Sequence, residues 1–224
     1  VLPLLSKLIE NKNIPEILKI QNKALELSLF LSLPATVALF IASEPIVSGL
    51  FGYGSFSEIS VQNSAKALFY FAFGLPAFSI IKVFSSFFFA RHDTKIPFYI
   101  SLASVIVNIL ISVSLFNRVG FIIIPISTSI ASWLNVLLLY FFIVKKDFFI
   151  FNDIFKFRFP RIIFSTIIMG IIFYLLLNQF SFQLNYNQNY KFFYLLLNIL
   201  IALTTYILIS FFTKASKFSD IKIR

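Results

Sequence analysis

The chain has 224 residues, of which 59% are hydrophobic and only 12% charged, and its mean hydropathy is +0.92. A water-soluble domain carries about twice that share of charge, so the composition excludes a soluble globule and a disordered chain alike and points to a polytopic membrane protein. The absence of Cys removes disulfides, thiol catalysis and cysteine-bound metals, and the single His, His92, does not suffice for a histidine-built zinc site.

Residues 3–23 alternate Leu8, Ile9, Ile14, Ile17 and Leu18 with Lys7, Glu10, Lys12, Glu16 and Lys19. This pattern predicts an amphipathic helix, or a broken pair, lying at the membrane interface, with Pro15 as its break or its first helical residue. Six apolar runs then predict α-helical spans at about 24–43, 65–90, 96–116, 119–144, 162–180 and 191–213, each near the ~20 residues needed to cross a ~30 Å hydrocarbon core. Only Asn117 and Arg118 separate the third and fourth, which predicts a tight turn between antiparallel helices. The one Met is Met169, so residue 1 is not an initiator and the chain reads as a piece of a longer one.

Charge placement predicts the orientation. Fifteen of the nineteen basic residues fall on alternate-side segments: Lys7, Lys12, Lys19 and Lys23; Arg91 and Lys95; Lys145, Lys146, Lys156, Arg158 and Arg161; and Lys214, Lys217, Lys222 and Arg224. The opposite side holds only Arg118 and Lys191. Under the positive-inside rule both ends are cytoplasmic. The net charge of +10 therefore describes a cytoplasmic rim at the membrane, not a nucleic-acid footprint.

Motifs for covalent chemistry are lacking: there is no HExxH, no GxSxG, no phosphate-binding glycine loop and no pair of membrane-embedded carboxylates. His92 and Asp93 are adjacent in a short basic loop, where Asp93 or Thr94 suits the cap of the next helix better than a catalytic pair without a third partner. Helix breakers carry more information. Pro34 lies mid-span in the first helix, Gly74 and Pro76 interrupt the second, and Pro125 lies in the outer part of the fourth. Each proline frees a carbonyl four residues back, at Phe30, Ala72 and Phe121, which in lipid must be buried in protein or face a wet cavity. Such breaks serve either as packing kinks or as the discontinuous helices of a transporter.

Glu26 and Lys66 lie within a turn of a helix end, whereas Lys82 is eight residues, roughly 12 Å, from the cytoplasmic end of its span. Lys82 either snorkels to the interface or presents a cation to a central cavity, where it would meet phosphate. Asn108 and Ser112 share one helix face, as do Ile124 and Thr128. Their depths match across the predicted turn, so an amide, two hydroxyls and a carbonyl come together. This set would either bind a coupling cation such as sodium or form plain interhelical hydrogen bonds, with no carboxylate to balance a cation's charge. Other small polar residues of these two spans, Ser104, Ser114, Ser127, Ser129, Ser132 and Asn135, suit close helix packing.

Residues 82–97, Lys-Val-Phe-Ser-Ser-Phe-Phe-Phe-Ala-Arg-His-Asp-Thr-Lys-Ile-Pro, resemble the signature loop of the MurJ (MviN) family, in which Lys-Val, an aromatic pair, a small residue and Asp-Thr-Lys-x-Pro close one helix and open the next. Leu2 to Ser6, Ser32 to Ala35, Leu50 to Phe56 and Thr128 to Asn135 agree in order and spacing along 1–145, while 146–224 agree only in helix count and charge placement. Ile96, Ile123 and Pro125 depart from the family pattern.

The resemblance implies an all-α, multi-pass protein of the bacterial inner membrane: the C-terminal part, helices nine to fourteen, of a fourteen-helix exporter fold of the multidrug/oligosaccharidyl-lipid/polysaccharide superfamily. The implied division is as follows. Residues 1–23 hold the end of a preceding helix and the interfacial segment, 24–144 a four-helix part of the transport lobe, and 145–161 a basic cytoplasmic loop. Residues 162–213 form a two-helix hairpin with a groove for the undecaprenyl tail, and 214–224 a basic tail. The implied function is flipping of lipid II from the cytoplasmic to the periplasmic leaflet by alternating access, with membrane lipids as further partners and no cofactor beyond a coupling cation. The family's cavity arginines belong to helices upstream of this stretch. The alternatives are a related exporter of another polyprenyl-linked oligosaccharide or of drugs, a membrane-embedded enzyme acting on polyprenyl substrates, and a non-transporting scaffold.

Overall fold

A computed structural model describes residues 2–215. Lys217, Lys222 and Arg224 of the basic tail 214–224 lie outside the described residues. The described residues form α1 (Leu2–Glu10), α2 (Ile14–Phe51), α3 (Glu58–Phe89), α4 (Lys95–Val119), a 3₁₀ turn (Gly120–Ile122), α5 (Ile123–Lys145), α6 (Asp153–Gln179) and α7 (Lys191–Phe212). Five stretches are long and apolar enough to cross a membrane, and the third, Lys95–Lys145, is the α4–α5 pair. Each of the six expected spans thus has its own helix.

The boundaries differ from the sequence expectation in four places. Residues 14–23 do not form a helix of their own but are the first turns of α2, 38 residues long with a kink at Ala42. Its start is set by Asn13, whose Oδ1 accepts from the backbone N–H of Glu16 at 3.3 Å while its Nδ2 donates to Glu16 Oε2 at 3.1 Å, a capping pair of the kind that nucleates helices. Pro15, second in the helix, costs nothing there because its missing donor would have no intrahelical partner. The charged Glu16 and Lys19 are exposed while Ile17, Gln21, Asn22, Ala24 and Leu25 are buried, so the fall in hydropathy marks a change of surroundings along one continuous helix.

Helix α3 begins at Glu58 rather than 65, with Ser57 Oγ accepting from the N–H of Ser60 at 3.3 Å. The turn between α4 and α5 is at 120–122, not at Asn117 and Arg118, because Gly120 adopts φ +75, a conformation open chiefly to glycine. The basic stretch 145–161 is a loop only between α5 and α6; Asn152 Oδ1 caps α6 by accepting from the N–H of Phe155 at 2.7 Å, which places Lys156, Arg158 and Arg161 on the helix.

Helices α1, α3, α5 and α7 end alike, with Lys12, His92, Asp147 and Lys214 at φ between 53 and 58. In each, the next N–H bonds back to a carbonyl five residues earlier: Asn13 to Leu8, Asp93 to Phe88, Phe148 to Ile143 and Ala215 to Ser210. This is the Schellman stop, formed here without glycine.

The chain forms two compact units, Val1–Ser32 with Phe73–Phe157 and Leu33–Ala72 with Arg158–Arg224. The first packs the end of α3 against the α5–α6 loop and the start of α6 through Phe84, Phe87, Phe149, Phe151 and Phe155. The segment between α5 and α6 is pinned by buried Asn22, which donates to Ile150 O at 2.9 Å and accepts from the N–H of Asn152 at 3.1 Å. The second unit packs Val47, Val61 and Ala65 against Phe56, Leu68 and Tyr186. In it Gly170 lets α6 approach α2: a Cβ there would stand 2.7 Å from Val37 Cγ1. The hairpin 162–213 thus belongs to the same compact unit as residues 33–72.

Candidate functional site

Helices α4 and α5 bring four of the expected polar residues together and add a fifth. Asn108 Nδ2 donates to Thr128 Oγ1 at 3.4 Å, Ser112 Oγ donates to Asn108 Oδ1 at 3.3 Å, and Thr128 Oγ1 donates to Ile124 O at 2.8 Å. The centre of the cluster is Ser127, fully buried, whose Oγ lies 2.6 Å from both Ser112 Oγ and Asn108 Oδ1 and 3.0 Å from Ile124 O. Sequence reasoning placed Ser127 among packing residues and paired Ser112 with Ile124. With the turn later in the chain, Ser112 meets Ser127, three residues beyond Ile124. A serine carries one proton, so with Ser112 donating to Asn108, Ser127 donates to one of Ser112, Asn108 and Ile124. Every oxygen of the proposed cation set is thereby engaged in a hydrogen bond between or within the two helices.

The expected helix breaks are not breaks in this structure. Helix α2 keeps helical backbone angles through Pro34; its one non-helical residue is Ala42, with φ −117 and ψ 22, three residues before Pro45. Pro45 removes the donor to Ile41 O and crowds that carbonyl, which accounts for the kink. The apolar run stopped at 43, so Pro45 was left outside the predicted span. Helix α3 is likewise continuous through Pro76. Gly74 serves close approach: a Cβ there would stand 3.0 Å from Ser129 Oγ of α5. Beside it, Trp133 Nε1 donates to Phe73 O at 3.0 Å. Pro125 is the third residue of α5 and starts that helix, where a missing donor leaves no bond unmade.

Lys82 is exposed on α3, seven residues before its end at Phe89, and makes no hydrogen bond or ion pair among the described residues. The loop after α3 is structural. Arg91 donates to Phe87 O at 2.8 Å and Phe148 O at 3.3 Å and stacks 4.1 Å from the Phe148 ring. Asp93 accepts from the N–H of Ile96 at 3.4 Å and pairs with Lys146 at 2.7 Å. That hydrogen bond from Lys146 holds the Asp93 carboxyl below the usual carboxylate range. Thr94, the helix N-cap, makes no side-chain cap bond, so the capping role expected of Asp93 or Thr94 falls to Asp93.

Lys191, which charge counting left as a stray residue on the less basic side, is 1% exposed at the first turn of α7. Its ammonium donates to Gly52 O at 2.6 Å and Tyr186 O at 2.7 Å and stands 4.4 and 4.5 Å from the rings of Tyr53 and Tyr186. No sequence signal marks those partners, since Gly52 is 139 residues away. Of the hairpin residues that would face a lipid tail, Phe173 is fully buried and Leu197 exposed.

A family model described as "Lipid II flippase MurJ" matches residues 1–196. The chain belongs to the MurJ family. It is 40% identical over 146 residues to the probable lipid II flippase MurJ of Rickettsia prowazekii, covering 65% of this chain and 29% of that protein. To the protein of the same description from Rhizobium meliloti it is 35% identical over 185 residues, 83% of this chain and 35% of that one. A solved MurJ structure, "Lipid II flippase MurJ, inward closed conformation", is similar over 96% of this chain and 42% of its own, with a TM-score of 0.74 and 26% identity. The chain therefore spans about a third of the length of the curated MurJ relatives it matches. With its apolar helices, this family membership makes the chain a multi-pass helical protein of the inner membrane.

Proposed function

We propose that the chain is part of a flippase, helices nine to fourteen of the MurJ fold, that carries lipid II from the cytoplasmic to the periplasmic leaflet by alternating access, without covalent chemistry. The observation that carries this reading is the MurJ family match along residues 1–196 together with the likeness of the fold over 96% of the chain. Depletion of the intact protein tests it: lipid II should accumulate in the inner leaflet, and an unchanged leaflet distribution would overturn it.

Lys82 is the cation of this stretch best placed to meet a diphosphate, being exposed and free of partners. In the depleted cells, Lys82→Met should restore folded, inserted protein but flip about threefold more slowly, a modest loss because other cations of the intact protein share the task. Full activity would assign Lys82 to snorkelling.

For the α4–α5 seam, the reading is a hydrogen-bonded clasp and not a sodium site. It rests on the mutual engagement of Asn108, Ser112, Ser127 and Thr128 and on the lack of a carboxylate among them. Replacing sodium by choline should leave transport unchanged, while Asn108→Leu lowers stability by about 1–2 kcal/mol through lost hydrogen bonds. Sodium-dependent transport that Asn108→Leu abolishes would reverse the assignment.

Both ends of the stretch are cytoplasmic in this reading, by the bias of basic residues, and the apolar α6–α7 hairpin supplies a wall for the polyprenyl tail. Two probes read the placement together: a single cysteine at Asn187 should label only from the periplasm, and a photoreactive residue at exposed Leu197 should capture polyprenyl lipid. Labelling from the cytoplasm, or capture of bulk phospholipid alone, would count against it.

A further inference from the structure

At the end of the second unit where α2 stops, α3 starts and α6 stops lies a cavity of about 310 Å³ whose walls include Glu44, Ser48, Glu58, Asn178, Asn185 and Tyr186. Its floor is apolar, with Val61, Leu177 and Leu184. Glu44 and Glu58 are exposed and make no hydrogen bond or ion pair among the described residues. Ser48 is 4% exposed, and its hydroxyl has no hydrogen-bond partner among the described residues. A buried, unpaired hydroxyl at the wall of a cavity that carries two free carboxylates is costly unless something seated there bonds to it.

Glu44 also lines a second cavity of about 310 Å³, together with Gln62, Lys66 and Tyr70. Lys66 is exposed and, like the two glutamates, without a polar partner among the described residues. The two neighbouring cavities share the carboxylate of Glu44; the first adds a second carboxylate, Glu58, and the second adds the cation of Lys66. Both are lined by α2 toward its C-terminal end and by the first half of α3.

We propose that this pair of cavities binds the headgroup of a zwitterionic aminophospholipid: a primary ammonium sits among Glu44, Glu58 and Ser48, and the attached phosphate faces Lys66. A primary ammonium carries three donors with no fixed coordination geometry, which matches two carboxylates and one hydroxyl. A divalent metal fits less well, since no group of three or more acidic or histidine side chains forms among the described residues. A quaternary ammonium carries no N–H, so it could not donate to the Ser48 hydroxyl or to the two carboxylates. The site does not depend on what the protein transports.

The test places the intact protein in nanodiscs holding equal amounts of phosphatidylethanolamine, phosphatidylcholine and phosphatidylglycerol, and counts retained lipids by native mass spectrometry. Phosphatidylethanolamine should be retained about tenfold over the other two, and the preference should vanish in Glu44→Gln/Glu58→Gln. Ser48→Ala, which removes one oxygen only, should lower it about threefold and keeps the test decisive if the double variant fails to insert. Equal retention of the three headgroups, or a preference unchanged in these variants, overturns the proposal. So does preferential retention of an amine-bearing lipid-linked precursor over phosphatidylethanolamine, which would assign the cavities to substrate.

Discussion

Lys191→Met is expected to lower the thermal unfolding midpoint of the purified protein by about 4–16 °C, the shift that a loss of about 2–4 kcal/mol produces in a domain of this size. Methionine keeps the length and the apolar stem but removes the ammonium. The carbonyls of Gly52 and Tyr186, now 2.6 and 2.7 Å from Lys191 Nζ, lose their donor. A hydrogen bond to a charged group contributes about 1.5–3 kcal/mol, and a buried acceptor left unmet costs about 1–3 kcal/mol. Both carbonyls belong to non-helical segments and can regain some hydration, which keeps the expected loss below the full sum. The two tyrosine rings lose a cation at 4.4 and 4.5 Å as well. Gly52 belongs to the same arrangement: a Cβ at that position would stand 2.6 Å from Ser48 O and 3.1 Å from Lys191 Nζ. A midpoint within about 1 °C of the wild type would show that water replaces the ammonium without cost.

Asn22→Leu is expected to free the segment between α5 and α6. Leucine matches asparagine roughly in volume but can neither donate to Ile150 O nor accept from the N–H of Asn152, which Asn22 does at 2.9 and 3.1 Å. The loss of about 2–4 kcal/mol falls on local opening, because the segment's other ties are the Lys146–Asp93 pair, the Phe148 N–H bond to Ile143 O, the Arg91 bond to Phe148 O and ring contacts. Hydrogen exchange of amides 148–155 should accelerate by roughly 30-fold or more, with α4 and α5 unchanged. Asn22→Asp, which retains the acceptor for Asn152, should show an intermediate effect. Exchange unchanged in Asn22→Leu would mean that the aromatic packing of Phe149 and Phe151 holds the segment without it.

Much of this architecture is written locally. Apolar runs longer than a bilayer core can only be helices in lipid, since no other open segment satisfies its own backbone there, and each of the six runs is a helix. Caps too were present in the sequence: Asn13 with Glu16, Ser57 with Ser60, and Asn152 before Asp153 sit where α2, α3 and α6 begin. They were overshadowed because hydropathy marks where a helix meets lipid, not where its hydrogen bonding starts. Helix ends at Lys12, His92, Asp147 and Lys214 lacked the glycine that advertises a left-handed residue, so they could not be read in advance.

Proline and glycine left two readings open, a packing kink or a broken helix. Composition marks them as breakers, yet Pro34 and Pro76 lie in unbroken helix, Pro125 starts one, and Gly74 makes room for Ser129. Whether a missing donor bends a helix depends on what packs beside the freed carbonyl, and that neighbour is supplied by another helix.

The sequence by itself determined the class, the number of spans and the family, because bilayer thickness, backbone hydrogen bonding and the ordered motifs of residues 1–145 act over short distances along the chain. Tertiary structure alone decided which polar groups meet. The position of the turn put Ser127 rather than Ile124 opposite Ser112. Lys191 found Gly52 across 139 residues, and Asn22 found Ile150 across 128. Such partners are chosen by helix register and by the cost of leaving a buried polar group unmet, and neither quantity is a property of any local stretch of chain.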